Sequence, residues 1–132
     1  MISFAAIVPH TPLLIPNIGK DKSNKLSASK QSLEDLDKKL SKMNLDVLIV
    51  ISAPRQAHYD TFSIILNEKY NADFKEFGDF ETKMEFFPDM ELIEKIRHEA
   101  TDRHIPFTLS HQLNLDYHYS VPLYYLPRNK NL

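Results

Sequence analysis

Val8-Pro9-His10-Thr11-Pro12-Leu13-Leu14-Ile15-Pro16-Asn17-Ile18-Gly19 is the stretch from which the rest of the chain can be read. It follows a short apolar run, Ile2 to Val8, that reads as a buried strand. It then places one histidine between two prolines, where that strand must end. Pro9 has no amide to give a sheet ladder, and Pro12 pushes Thr11 toward an extended conformation. His10 is therefore expected on a stiff, non-helical segment just past a strand, which is where open α/β sheets bind their ligands. The same residues also read as a proline-rich loop whose histidine is incidental.

Outward from this stretch, Leu26, Leu33, Leu36, Leu40 and Met43 form one apolar stripe at helical spacing. Lys30, Glu34, Lys38 and Lys42 are left for solvent, and the pattern predicts a helix from Ser23 to Met43. Leu45 to Ser52 is a continuous apolar run rich in β-branched residues, the signature of a central strand buried on both faces. Strand, helix and strand in this order predict a right-handed βαβ unit at the N-terminus. Phe62 to Leu66, Asp79 to Phe86 and Ile105 to His111 are further strand candidates. Tyr70, Phe74, Phe77 and Phe80 lie among charges between and beside the first two. Pro88-Asp89 marks a helix start, with Asp89 as cap and Leu92, Ile93, Ile96 and Ala100 on the buried face, ending near Arg103. The expected fold class is α/β: a central, mainly parallel or mixed sheet flanked by helices. Residues 1–126 form the single expected domain, and residues 127–132 a frayed tail.

Bulk composition narrows the chemistry. The 132 residues suffice for one domain with a core, and 42% hydrophobic and 26% charged residues are ordinary for a globular chain. A net charge of −2 gives no electrostatic reason to expect nucleic acid or an anionic membrane as a partner. No apolar run approaches the ~20 residues that span a bilayer, and no secretory leader is visible, so a cytoplasmic location is expected. With no cysteine, disulfides, thiolate zinc sites and cysteine nucleophiles are excluded. With Gly19 and Gly78 as the only glycines, a phosphate-cradling glycine-rich loop is excluded as well. A metal site would have to use histidines and carboxylates, a donor set suited to iron, manganese or zinc.

Three polar clusters follow predicted strands: His10, the Arg55–Asp60 loop with His58, and Asp116-Tyr117-His118. Parallel strands would bring all three to one rim of the sheet. His10 and His118 with Asp116 would then supply two imidazoles and a carboxylate, as in non-haem iron sites. His58 is a further nitrogen, and Arg55 a bidentate partner for an anionic substrate group. His58 equally reads as a solvated loop residue, and His118, between Tyr117 and Tyr119, as part of an aromatic packing surface.

At this point the chain resembles a known family. VPHTPLLIPNIG is similar to the opening motif of the class III extradiol ring-cleavage dioxygenases, near their Memo-related branch. VLIVIS with its Pro-containing loop, DFKEFGDF, PDMELIEKI and LDYHYSVPLYYL follow in the family's order. The resemblance implies an α/β fold and, for active members, Fe(II)-dependent cleavage of catechol-type rings with O₂. It makes His10 the first metal ligand and puts Arg55 where the family has its second, a histidine, with His58 or His118 as replacement. The family's acid–base histidine falls on Tyr117, with Asp116 before it and His118 one residue late. Its third ligand, a glutamate, belongs to the family's C-terminal half, which this chain is expected to lack. The expected function is therefore that of a diverged or truncated dioxygenase relative with an incomplete ligand set and a small aromatic molecule as its ligand. The alternative is a non-catalytic assembly module that pairs with another chain, or with a second copy of itself, through an open sheet edge.

Overall fold

The structure, a computed structural model, describes residues 1–53 and 60–126, with the backbone alone at residues 21–23. The opening stretch is more helical and more buried than a stiff loop would be. Thr11 is extended, as a residue before proline must be, but Pro12–Leu14 then make a 3-10 turn. Pro16–Gly19 follow as a single helical turn, α1, with proline at its first position, where a missing amide costs nothing. Leu14, which ends the first turn, and Ile15, between the two, are fully buried, so this stretch is part of the core.

A 3-10 segment, Lys20–Leu26, leads into helix α2, Ser27–Ser41. The helix buries Leu33 and Leu40 from the predicted stripe and begins four residues later than Ser23. Two two-stranded sheets come next. β1, Phe62–Ile65, pairs in parallel with β4, Phe107–Ser110, in the register Phe62 to Phe107 through Ile65 to Ser110. β2, Tyr70–Phe74, pairs antiparallel with β3, Asp79–Phe86, with Tyr70 opposite Phe86 and Ala72 opposite Met84. A 3-10 turn, Lys75–Phe77, joins β2 to β3. Gly78 closes that turn in the left-handed region at φ 83°, where a side chain would be strained. Helix α3, Met90–Asp102, is capped by Asp89, whose carboxylate accepts the Leu92 amide at 2.9 Å. Helix α4, Tyr117–Tyr125, completes the order.

α4 packs against β2, α2 and the Pro12–Leu14 turn, and α3 packs against β4. The main core gathers where these meet, around Leu14, Ile15, Leu33, Phe74, Val121 and Leu123. Tyr125 ties α4 to the opening stretch by donating its hydroxyl to the Leu14 carbonyl. Among the described residues no helix is long and apolar enough to cross a membrane.

The α/β class is as the sequence predicts, as are β1, β3, β4 and α3. Among the described residues the N-terminal βαβ unit is not formed as a hydrogen-bonded ladder: residues 2–8 carry no strand, the run from Leu45 to Ser52 has a single bridge at Val47, and the sheets are β1–β4 and β2–β3. The physical reason lies in burial. Phe4, Val8, Leu48 and Val50 turn partly inward, while Ile2, Ile7, Ile49 and Ile51 are 85, 104, 60 and 91% exposed. A strand buried on both faces needs a layer over each, and the described residues cover only one. The loop at 54–59 and the tail predicted at 127–132 lie outside the described residues.

Candidate functional site

The site forms where the opening stretch meets the start of α4. Leu115, just before that helix, is buried, and its amide donates to the Asn71 carbonyl of β2 at 2.7 Å. Ser120, fully buried one turn on, donates its hydroxyl to the Leu115 and Asp116 carbonyls at 3.0 and 3.1 Å. The first turn of α4 is thereby fixed to the sheet. Asp116 is its N-cap: the side chain accepts the His118 amide at 3.0 Å, and the positive end of the helix favours the charged carboxylate.

The same Asp116 oxygen also pairs with His118 Nδ1. Both side chains are largely buried, 19% exposed for Asp116 and 13% for His118. With the carboxylate accepting, Nδ1 is the donor, so Asp116 fixes the orientation of the ring and, in the neutral imidazole, places the proton on Nδ1. The His10 ring lies over this pair, its centroid 4.6 Å from that of His118 at a tilt of 40°. Tyr117 stacks on His118 at 4.1 Å and 28°, and lies 6.2 Å from His10. Phe77 meets Tyr117 edge-on, at 5.4 Å and 88°.

The structure therefore brings together His10, Asp116, Tyr117 and His118 from the sequence-predicted set. Arg55 and His58 lie outside the described residues. Of the neighbours Tyr117 and His118, it is His118 that bonds the Asp116 carboxylate and lies nearer His10. Of the other histidines, His98 is exposed on α3 near Glu94, and His111 contacts Asn67 Oδ1 at 3.3 Å on the surface. Sequence reasoning missed Phe77 and Asp79. Asp79 is 3% exposed and accepts Asn17 Nδ2 at 3.1 Å, the Glu81 and Thr82 amides at 3.0 and 3.1 Å, and the Thr82 hydroxyl at 2.6 Å. Burial alone would push this carboxyl up. The four hydrogen bonds outweigh it and hold the group at about 2. The pattern Phe-Gly-Asp in a short strand connection was the available signal.

The first turn of α4 and the opening stretch thus place two imidazoles side by side, one of them bonded to a carboxylate. Comparison with known proteins then places the chain. Residues 4–131 match the family of the catalytic LigB subunit of aromatic ring-opening dioxygenase, and the chain belongs to that family. It is also similar to Protein CA_C1420 of Clostridium acetobutylicum, 22% identical over 129 residues that cover 91% of this chain and 28% of that protein. The chain thus spans between a quarter and a third of the curated relative it matches.

The family implies iron, and the donors can be tested against it. Among the described residues no three histidine or carboxylate side chains gather as a metal site. His10 and His118 are neighbouring imidazoles, but the Asp116 oxygen is already engaged by His118 Nδ1. The described residues do not fit a complete iron centre.

Proposed function

We propose that this chain is a diverged member of its family whose His10–His118 pair binds small catechol-type compounds and takes a proton from a ring hydroxyl. The observation that supports this most is the contact of the two imidazoles at 4.6 Å, one of them bonded to Asp116. His118 Nε2 is the base. As it accepts the proton, the positive charge on the ring is balanced by the Asp116 carboxylate at Nδ1. His10 donates an N–H to the resulting oxyanion, a charge-assisted bond. Tyr117, stacked on His118, offers a flat apolar wall beside the ligand.

The test uses 4-nitrocatechol, whose phenolate has its own visible band, titrated with the protein in the presence of a chelator at a pH low enough that the free compound is neutral and the band reports bound phenolate. Wild type is expected to bind it as the phenolate, His118→Gln to bind it with the band lost, and His10→Ala to bind it weakly. Binding and phenolate formation unchanged in both variants would refute the proposal.

The exposed isoleucines support a second reading, that of an assembly module. Ile2, Ile7, Ile49 and Ile51 are exposed on two apolar segments that belong to neither of the two sheets, and large apolar side chains left open in this number favour cover by another chain. Sedimentation then shows a dimer or larger species that Ile51→Lys converts to monomer. A monomeric wild-type protein at high concentration counts against this reading.

A further inference from the structure

The turn between β2 and β3, together with the first residue of β3, touches both segments that carry the site's histidines, and it does so through two different side chains. Phe77 reaches the α4 side, with its ring edge on Tyr117, which in turn stacks on His118. Asp79 reaches the opening stretch, where Asn17 Nδ2 donates to its Oδ1 at 3.1 Å. From Asn17 the path to His10 is short and stiff. Gly19 and Ile18 bond back to Ile15, Ile15 bonds to Pro12, and Leu14 bonds to Thr11, the residue after His10.

We propose that residues 75–79 act as a clamp, with Phe77 and Asp79 as positioning residues that set the approach of His10 to His118. The proposal rests on the reading of that pair as the working site. The connection is built to hold a fixed shape. Gly78 takes the left-handed conformation that ends the 3-10 turn, and Lys75 pairs with Asp73 at 3.0 Å across its start. Three of the bonds to Asp79 come from Glu81 and Thr82 in β3, so the carboxylate is anchored to the strand before it meets Asn17. Phe77, one residue before Gly78, is fixed by the same turn. The clamp thus joins two elements that are far apart in sequence through one rigid five-residue unit. A displacement of about 1 Å at a reacting pair is enough to cost one to two orders of magnitude in its action.

Phe77→Leu keeps an apolar side chain of similar bulk and removes the ring edge, Phe77→Tyr restores it, and Asn17→Ala removes the other arm. The readouts are 4-nitrocatechol affinity and the proton resonance of the His118 Nδ1–H bond to Asp116, with circular dichroism to follow the fold. Phe77→Leu is expected to weaken binding on the order of tenfold and to broaden the Nδ1–H resonance, with both restored in Phe77→Tyr. Asn17→Ala is expected to weaken binding to a similar degree with the resonance intact, because it acts on the His10 side. Should Phe77→Leu fail to fold, Asn17→Ala still decides the matter. Wild-type affinity in a folded Phe77→Leu or in Asn17→Ala overturns the clamp. If His10→Ala and His118→Gln also bind as wild type, the site itself is refuted. If they do not, only the clamp is.

Discussion

Replacing Asp79 by asparagine gives the sharpest test of the energetics. The change keeps the size of the side chain and an oxygen to receive Asn17, Glu81 and Thr82, but removes the charge that those donors stabilise. The carboxyl is held at about 2 against an ordinary value of 3.8. A difference of that size contributes on the order of 2 kcal/mol of folding stability at neutral pH. The sign follows from the direction. A depressed carboxyl binds fewer protons folded than unfolded, so its contribution is complete above about pH 5 and is lost as pH falls through 4 toward 2. Urea unfolding of wild type and Asp79→Asn should therefore show a gap of about 2 kcal/mol at pH 7 that narrows to nearly nothing by about pH 2. Asp35 and Glu94 are also shifted down, but both are present in the two proteins and cancel in the difference. A gap that stays constant from pH 7 to pH 2, or no gap at pH 7, would refute this reasoning.

Tyr125→Phe leaves the Leu14 carbonyl without its hydroxyl partner and should cost about 1–2 kcal/mol in denaturant unfolding. Burial raises the Tyr125 hydroxyl to about 12, with Tyr124 and Glu34 adding to the shift. Burial raises Tyr70 and Tyr119 as well, so in a spectroscopic alkaline titration three tyrosines should ionise late, Tyr125 last of them, and stability should fall as pH rises from 10 through 12. Gly19→Ala puts a Cβ 2.1 Å from the Leu13 carbonyl oxygen and forces the buried opening stretch to shift. Gly78→Ala meets no atom within 4 Å and carries only the left-handed backbone penalty of about 1 kcal/mol. Thermal melts should therefore rank Gly19→Ala well below Gly78→Ala. Leu14→Ala, at a fully buried position, should cost roughly 2–5 kcal/mol.

Much of the fold was legible from local pattern. The stripe on α2, the Asp89 cap of α3 and the strand segments of β1, β3 and β4 are all written in consecutive residues. β2 was hidden, because Tyr70, Ala72 and Phe74 alternate inward with Asn71 and Asp73 between them, and the charges around them masked the period of two. The runs 2–8 and 45–52 read as strands, yet whether a run joins a ladder is decided by what lies beside and above it, which a local pattern does not contain. The site divides the same way. His10 and the Asp116–His118 pair could be named from their motifs, whereas the bond of His118 to the cap residue Asp116 and its approach to His10 exist only in the folded chain. Phe77 and Asp79 join the site through contacts across 40 and 62 residues of sequence, a link that no spacing rule carries.

The contact of His10 with a carboxylate-bonded His118 is the centre of the site, and nuclear magnetic resonance of the histidine rings measures it directly. Cross-relaxation between the ring protons of His10 and His118, together with a His118 proton held on Nδ1 and released in Asp116→Ala, is the predicted result. A His118 ring protonated on Nε2, with no contact to His10, would contradict the proposed site at its core.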